Sequence, residues 1–478
     1  MRRFASCLAV VWLLFVAGAC WATVAELGER VGAILNQVDQ EGLVVAARVV
    51  DLETGAVIFE QNADQPVKPA SNLKLLVTAA ALDKLGPEAT LDTYLYLAGD
   101  DLVVVGTGDP AFGDLTIMQD QGRTMLAGFD DWAEALKARG ITEIKGDLRY
   151  YDGALGDEWI SPTWSRGNLV HWYGAPSAGL NLNNNCIDIV VEPIEGSDGV
   201  GRVSYLPEAA MIRVENRTGG EGSLRVDKTP GKHEYIVTGK VERTRTFYKP
   251  VDDPGRFFAE ALRAHLERRG IEINGEIIWQ PNAERSAEAV LVVAHETPLL
   301  PVLKRVNSNS QNMMADALMR MAFPARAINQ NDEIVEDWEL SGLQVLGQLQ
   351  EIRTLVHDAR VLDGSGLSHD NRVTTLLLSG LLVLMSSHEY AATYYDSLAI
   401  AGERGSLRNR MKEVAGKVRG KTGTISGVRA SSGYIETEEG RKVVYSLIYN
   451  EVAGGNAGKV LAAMDEACVT VQQWDDWD

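Results

Sequence analysis

The chain changes character near residue 96 and again near residue 290. Outside these limits, apolar positions recur at the spacing of amphipathic helices, as at 312–322, 338–352 and 373–386. Between them the sequence consists of short strand-like runs separated by many Gly and Asn residues. The sequence therefore predicts that a β-rich insertion interrupts a domain to which both ends of the chain contribute.

The elements predicted at the two ends of the chain fit one layered domain. They are a helix at 24–40, two strands within 43–60, a helix from about 71 to 85, strands at 430–437 and 443–449, and a helix at 457–473. We expect a mixed α/β or α+β catalytic domain formed by residues 23–95 and 290–478. Residues 96–289 would be inserted as one β-rich module or two nested ones, with a helix near 254–269.

Composition and charge narrow the possible partners. With 45% hydrophobic and 23% charged residues, the chain has the composition of a globular protein. The formal net charge of −20 argues against nucleic acid, because phosphate neutralisation needs clustered Lys and Arg. Metal chemistry has little support, since the histidines are scattered and Leu299 replaces the second histidine that His295-Glu296 would need. No cofactor is expected.

The first residues predict a secretory signal peptide covering residues 1–22. Arg2 and Arg3 precede a mostly apolar run at 7–19, which small residues follow. The run is shorter than the roughly 20 residues of a spanning helix, which argues against an uncleaved anchor. A lipoprotein cleavage site at 17–20 is a weaker alternative. We expect a periplasmic protein, soluble or loosely associated with the membrane.

The rest of the chain offers few covalent or lipid anchors. Only Cys186 and Cys468 follow the signal segment, and they either pair or form separate buried thiols. The last residues, 474–478, resemble an acidic tail, which anionic lipid would repel.

Three short patterns occur in order along the chain. They are Ser-x-x-Lys at 71–74, Ser-x-Asn at 310–312 and Lys-Thr-Gly-Thr at 421–424. Each of the first two would arise by chance roughly once in a chain of this length. Each also has a structural alternative, since a serine at the start of a helix can be a simple N-cap. Their order and setting therefore decide the interpretation.

The first pattern suits nucleophilic catalysis. Ser71 stands at the start of a predicted helix, and Lys74 returns to the same face one turn later. A serine hydroxyl needs a base to remove its proton, and an amine can serve only when it is neutral. The pKa of lysine must then fall from about 10.4 to about 7, which burial and a second cation such as Lys421 can achieve.

The second pattern supplies a proton relay and a substrate ligand. Ser310 can pass a proton between either lysine and the leaving amine, and the Asn312 amide can hold the substrate backbone. Both functions require short polar side chains.

The third pattern opens a predicted strand that can pair with a peptide. Gly423 lets the peptide approach the backbone, while Lys421 and Thr422 can bind a terminal carboxylate. The backbone N–H groups of Ser71 and Thr424 can form an oxyanion hole.

A nucleotide-binding loop is the competing interpretation of this region. Residues 416–422 nearly match the phosphate-binding pattern, but one residue is missing between the glycines. A strand-like segment at 425–434 follows where that pattern requires a helix. Both departures argue against nucleotide binding.

The three patterns together are those of class A β-lactamases and penicillin-binding proteins. With the segments at 68–71, 106–110, 363–368 and 405–407, nearly the whole mature chain resembles the D-Ala-D-Ala carboxypeptidase/endopeptidase family of low-molecular-mass class C penicillin-binding proteins. That family is known for extra domains inserted between its first two motifs, where this chain has its β-rich segment.

The resemblance implies an α+β fold with a β-lactamase/transpeptidase-like catalytic domain, in which helices flank an antiparallel sheet. It implies a serine D-Ala-D-Ala carboxypeptidase/endopeptidase that cleaves peptidoglycan stem peptides through an acyl-enzyme on Ser71, with β-lactams as covalent inhibitors. It gives the roles described above to Ser71, Lys74, Ser310, Asn312, Lys421, Thr422 and Thr424. We assign residues 363–368 to a tight turn that supports the cleft, because two glycines flank Ser365.

One position departs from the family pattern. Relatives can hold the amino group of diaminopimelate with an acidic residue before an Ala-Pro pair, and here Asn168 occupies that place, with Arg166 nearby. An amide binds an ammonium group more weakly than a carboxylate does, so a weaker preference for that side chain is expected.

Two other functions are compatible with these residues. One is a β-lactam hydrolase that uses the same acyl-enzyme, which the long insertion disfavours. The other is a non-catalytic protein that binds the cell wall, which the intact set of reactive side chains disfavours.

Overall fold

The computed structural model describes residues 24–282, 289–328 and 334–477. The predicted signal peptide, residues 1–22, lies outside them. The described chain forms two compact units: the first comprises the residues up to Lys84, Leu303–Ser310 and the chain from Leu343, and the second comprises Leu85–Val302 and Gln311–Gly342. The domain division at residues 95 and 290 stays a prediction.

The helices lie close to where the periodicity of apolar residues predicts them. They are α1 (24–35), α2 (Leu73–Leu85), α3 (Leu115–Asp120), α4 (Ala127–Ala138), α5 (Pro254–Arg268), α6 (Leu299–Asn307), α7 (Asn312–Ala322), α8 (Trp338–Gln348), α9 (Thr375–Ser387), α10 (Ala391–Ser397) and α11 (Ala457–Gln472). None of these helices combines the length and apolarity needed to cross a bilayer.

Two predicted helices are too long. The first ends at residue 35 rather than 40, and the side-chain amide of Asn36 donates to the Gly32 carbonyl at 2.8 Å beside the last helical bond, from the Asn36 backbone N–H at 3.1 Å. These bonds satisfy a carbonyl of the last turn. Helix α8 ends at Gln348, and a 3₁₀ segment, Gln350–Leu355, replaces its predicted last turn.

The strands form several separate sheets. They are β1 (Val44–Asp51), β2 (Val57–Gln61), β3 (Thr90–Ala98), β4 (Asp101–Gly106), β5 (Glu143–Ile144), β6 (Leu148–Tyr151), β7 (Cys186–Pro193), β8 (Gly201–Leu206), β9 (Arg213–Ser223), β10 (Arg225–Lys228), β11 (Glu234–Lys240), β12 (Arg245–Pro250), β13 (Glu272–Ile273), β14 (Ile277–Trp279), β15 (Val290–Pro298), β16 (Arg326–Ile328), β17 (Ile334–Glu336), β18 (Ala399–Ile400), β19 (Val418–Ile425), β20 (Val428–Glu436) and β21 (Lys442–Asn450).

The first unit is built on one antiparallel sheet of six strands, in the order β18-β19-β20-β21-β1-β2. Strand β1 pairs with β21 from Val44–Asn450 to Asp51–Val443, so the two ends of the chain share this sheet. The antiparallel sheet that was predicted for the catalytic domain is therefore present.

Side chains of β21 alternate between the two faces of this sheet, as strand geometry requires. Tyr445 and Leu447 point into a core that also holds residues of α1 and α11. Helix α9 covers the opposite face, where Arg48 of β1 donates to the Ser379 hydroxyl at 3.1 Å and the Tyr434 hydroxyl donates to the Leu382 carbonyl at 2.8 Å. The sheet therefore has helices on both faces.

The second unit contains a mixed five-stranded sheet, in the order β14-β6-β4-β3-β15, and two three-stranded sheets, β10-β11-β9 and β12-β7-β8. Its core includes a cluster of aromatic rings in which Phe112 lies 5.1 Å from Phe129, 5.3 Å from Trp132 and 4.9 Å from Phe258, between ring centroids. The predicted insertion is β-rich as expected, but it also contains helices α3 and α4, which were not predicted.

The two cysteines that follow the signal segment are separate. Cys186 and Cys468 are both free thiols and both buried. Burial raises the pKa of each thiol above its ordinary value. Each cysteine is thus described as a buried thiol, which is the second of the two alternatives that the sequence left open.

Candidate active site

A short 3₁₀ turn, Ala70–Asn72, leads into α2 and carries Ser71. Lys74, one turn later, is fully buried, and its Nζ donates a hydrogen bond to Ser71 Oγ at 3.0 Å. The i to i+3 spacing of the pattern therefore places an amine against the hydroxyl.

The turn at residues 363–371 contacts both Lys74 and the backbone beside Ser71. Lys74 Nζ donates to the Ser365 carbonyl, at 2.5 Å. The φ of Gly366 is +78°, and a Cβ on this residue would lie 1.9 Å from the Ala70 carbonyl oxygen and 3.2 Å from the Ser71 nitrogen. The turn thus packs against the backbone that presents Ser71.

Asp363 holds this turn together. Its buried carboxylate accepts hydrogen bonds from the Gly366 N–H at 2.6 Å, the Ser368 N–H at 2.7 Å and the Asn371 side-chain amide at 3.1 Å. The carboxylate therefore organises the segment whose carbonyl contacts Lys74.

Ser310 and Lys421 form a second pair. Lys421 Nζ donates to Ser310 Oγ at 2.9 Å and to the Thr422 carbonyl at 2.6 Å. Ser310 has a left-handed backbone, with φ +64°. Burial and the neighbouring charge of Lys74 lower the pKa of Lys421 well below its ordinary value.

Strand β19 runs directly past the backbone of Ser71. A Cβ on Gly423 would lie 3.0 Å from both the Pro69 carbonyl oxygen and the Ser71 nitrogen. Glycine at this position therefore permits the close approach of strand and turn. Thr422 Oγ1 donates to Ser406 Oγ at 2.7 Å, and Thr424 is exposed.

One side of β19 is largely unpaired within the described part of the first unit. Strand β18 pairs only with Arg419 and Gly420. On the other side, β20 pairs with the whole of β19, from Val418 to Ile425. The segment from Lys421 onward thus offers backbone groups on one side to an extended peptide.

Asn72 is a site residue that the sequence did not single out. With its amide nitrogen facing the Lys421 carbonyl, it donates there at 2.8 Å and accepts from Ser432 Oγ at 2.7 Å. It therefore ties the start of α2 to β19 and β20. The only sequence signal is its place inside the Ser-x-x-Lys pattern.

Asn312 and Asn168 both belong to the second unit. Asn312 begins α7, and its side-chain amide donates to the Tyr173 carbonyl at 2.8 Å. Asn168 lies half-buried in a 3₁₀ helix, Arg166–Val170, and its carbonyl packs closely on Gly174. The two residues thus contact adjacent positions of one segment, and Arg166 is exposed.

The chain matches the profile of the D-Ala-D-Ala carboxypeptidase 3 (S13) family over residues 27–471. It belongs to this family. The predicted family and the predicted class of enzyme, a serine D-Ala-D-Ala carboxypeptidase, are thereby confirmed, and the alternatives of a β-lactamase and of a non-catalytic wall-binding protein are not favoured.

Several characterised proteins resemble this S13 chain along most of its length. The D-alanyl-D-alanine carboxypeptidase of Actinomadura sp. (strain R39) is 28% identical over 487 residues, which cover 95% of this chain and 85% of the relative. Carboxypeptidase DacB of Mycolicibacterium smegmatis is 28% identical over 440 residues, which cover 89% and 81%.

Solved structures share the fold. The crystal structure of penicillin binding protein 4 from Haemophilus influenzae aligns with a TM-score of 0.75 at 20% identity, covering 93% of this S13 chain and 99% of the other. The predicted α+β fold of the penicillin-binding type is thereby confirmed.

Proposed function

We propose that Ser71 is the nucleophile of a D-Ala-D-Ala carboxypeptidase that acts on peptidoglycan stem peptides and forms an acyl-enzyme. The observation that carries the proposal is the pairing of Ser71 Oγ with Lys74 Nζ at 3.0 Å beside the pairing of Ser310 Oγ with Lys421 Nζ at 2.9 Å. Each hydroxyl lies against a buried amine. Ser71 is thereby paired with a base that can take its proton, and Ser310 is paired with an amine that can supply the proton it relays.

The two buried lysines act as one unit in this proposal. Lys74 and Lys421 are both fully buried, and holding two ammonium groups in one site is unfavourable. Burial and, after it, the neighbouring charge of Lys74 lower the pKa of Lys421 well below its ordinary value, so a second ammonium beside Lys74 is disfavoured. A substrate carboxylate bound near Lys421 draws the charge there, which leaves Lys74 neutral and able to deprotonate Ser71.

The acyl transfer follows from this arrangement. The Ser71 oxygen attacks the carbonyl of the penultimate D-Ala, and its proton passes to Lys74. The terminal D-Ala leaves as an amine after Ser310 hands it a proton from Lys421, and water then hydrolyses the ester. Backbone N–H groups of Ser71 and Thr424 are proposed to stabilise the oxyanion.

The open side of β19 is proposed to bind the peptide as an added strand. Lys421 and Thr422 would then hold the terminal carboxylate, while Gly423 keeps the strand close to Ser71. Asn312 is proposed as a ligand of the substrate backbone, and Asn168 as a weak ligand for a diaminopimelate side chain. The same site accounts for acylation by β-lactams, which a related crystal structure from Haemophilus influenzae contains as a complex.

We also propose export to the periplasm, where the wall substrate lies. The proposal rests on the signal-peptide pattern at residues 1–22 and on the match to wall carboxypeptidases.

Labelling with a fluorescent penicillin tests the nucleophile. The wild-type protein should become covalently labelled, and it should release D-Ala from a soluble pentapeptide. Ser71→Ala should lose both activities, with residual turnover at least about 10³-fold lower, because no other group forms the ester.

Ser426→Ala is the matched control, since this serine is exposed at the turn that follows β19. It should be labelled as strongly as the wild type. Equal labelling of Ser71→Ala would overturn the assignment of the nucleophile.

A further inference from the structure

The segment at residues 201–250 in the second unit has a charge opposite to that of the chain. It contains ten Lys and Arg residues and six Asp and Glu residues, which gives a net charge of +4, whereas the chain as a whole carries −20. A local reversal of this kind marks a surface that attracts anions which the rest of the protein repels.

Some cations of this segment are neutralised by nearby acids and others are not. Ion pairs join Arg217 to Glu215, Arg225 to Asp227, Lys228 to Asp252 and Lys232 to Glu234. Lys240, Arg243 and Arg245 form no ion pair with any residue that the structure describes. Their charges are therefore free to meet a ligand.

These three cations line one cavity of about 560 Å³, together with Glu242, Gly222 and Ser223. We call it the basic cavity. Its volume lies within the range of sites that hold small ligands or short chain segments. With three positive charges and one negative charge, its lining carries a net charge of +2.

The strands fix the positions of these side chains. Lys240 ends β11 and lies beside Ser223, the last residue of β9. Arg245 begins β12, and its guanidinium stacks on the Phe247 ring at 5.0 Å from the centroid. Stacking limits the conformations of a long side chain, so part of the entropy cost of ligand binding is already met.

We propose that the basic cavity binds the carboxylates of peptidoglycan stem peptides, in addition to the peptide that is being cleaved. The proposal rests on the proposed function, because the wall polymer that this enzyme meets carries many carboxylates. Arginine suits them, since its planar fork of N–H donors matches the two oxygens of a carboxylate. The inserted module thereby keeps the enzyme bound to the wall polymer, although the negative net charge of the whole chain disfavours binding to an anionic polymer.

Sedimentation with purified wall sacculi tests the proposal in the full-length protein. In a Ser71→Ala background, which prevents cleavage, the combined change Lys240→Gln, Arg243→Gln and Arg245→Gln should weaken binding by about tenfold or more at low salt. The control change Arg202→Gln, Arg213→Gln and Lys232→Gln removes the same charge from exposed positions outside the cavity, and it should alter binding by less than about twofold. Equal loss in both variants, or no loss in either, overturns the proposal.

Competition identifies the ligand chemistry. A soluble stem tetrapeptide should displace the protein from sacculi, whereas inorganic phosphate at the same ionic strength should not. The opposite result would replace carboxylate by phosphate and contradict the proposal.

Measurements of catalysis test the proposal for the basic cavity independently of the proposed function. With Ser71 restored, the cavity variant should keep wild-type penicillin labelling and wild-type cleavage of a soluble pentapeptide, because it changes no residue of the Ser71 site. If penicillin does not label the wild-type protein, the proposed function is overturned. The sedimentation experiment would still test the proposal for the basic cavity.

Discussion

Two residues of the Ser71 site have backbone angles that L-amino acids seldom adopt. Ala70, which precedes Ser71, has φ +47°, and Ser310 has φ +64°. Each such residue costs on the order of 1–3 kcal/mol, so its surroundings must hold it in place. Ala70 is fully buried, with its carbonyl against Gly366. No Gly or Asn marks either position, and the strain could therefore not be predicted from the sequence.

Asp109 makes the stability of the second unit depend on pH. Its carboxyl is fully buried, accepts hydrogen bonds from the Ala111 N–H and Thr297 Oγ1, both at 2.9 Å, and burial raises its pKa from 3.8 to about 7. Between these values the folded protein binds the proton more tightly than the unfolded chain does. The free energy of unfolding should thus fall as pH rises from about 4 to about 7, by on the order of 4 kcal/mol in all.

Asp109→Asn removes this titration, so the decrease in stability between about pH 4.5 and about pH 7.5 should shrink. Urea denaturation at several pH values measures it. Asp100→Asn changes an exposed carboxylate, and the stability of this variant should depend on pH in the same way as that of the wild type. An unchanged profile in Asp109→Asn would show that other groups cause the dependence.

At the scale of elements, the turn at residues 363–371 is the part of the site that supports the rest. It joins the Lys74 amine, through the Ser365 carbonyl, to a network centred on Asp363. The sequence predicted a tight turn here from two glycines. The contact with Lys74 could not be predicted, because 291 residues separate Lys74 from Ser365 in the chain.

Gly366→Ala should slow acylation by a fluorescent penicillin by about tenfold or more. The added Cβ would lie 1.9 Å from the Ala70 carbonyl oxygen, so the backbone that presents Ser71 must shift. Stopped-flow measurement of the labelling rate checks this expectation.

Gly55→Ala is the matched control for this change. Gly55 also has a positive φ, +71°, but no atom lies within 4 Å of the point that a Cβ would occupy. The substitution introduces similar backbone strain, of about 1–2 kcal/mol, without a clash. Its labelling rate should equal that of the wild type, and equal slowing in both variants would mean that strain alone is responsible.

The sequence predicted helices and strands well where a periodic pattern of apolar residues extends over many positions. It predicted them poorly where contacts between distant residues determine the structure. Strands β20 and β21 and helix α11 lie within a few residues of their predicted positions. Helix α4 was not predicted, although Phe129, Trp132 and Leu136 recur at helical spacing along its buried face. The many glycines around it had suggested strands. The interaction of Asn72 with β19 depends on tertiary packing, which no local pattern reports.

For the whole molecule, the C-terminus differs most from its expected form. Residues 474–478 were expected to form an acidic tail, but Trp474 and Trp477 are buried in the core of the first unit. Arg441 lies 5.2 Å from the Trp477 ring centroid and forms an ion pair with Asp51 at 2.9 Å. Burial of the two indole rings stabilises this position by more than the acidic residues between them destabilise it, because two large side chains bury much apolar surface.

Trp477→Ala should lower the free energy of unfolding by about 3–5 kcal/mol, because the indole is 1% exposed and its removal leaves a cavity. Urea denaturation followed by circular dichroism measures the change. Trp172→Ala serves as the control, since that indole is 42% exposed, and it should cost less than about 1 kcal/mol. Similar costs for the two variants would contradict the docking of the C-terminus.

The pairing of β1 with β21 brings an early segment of the described chain against a late one. During synthesis, Ser71 leaves the ribosome long before Lys421, β20 and β21 exist to complete its surroundings. A protein cut short by premature termination therefore has the hydroxyl without the second amine and without the strand that borders it. If Ser71 is the nucleophile proposed above, chains that end before β19 should react neither with penicillin nor with wall peptides.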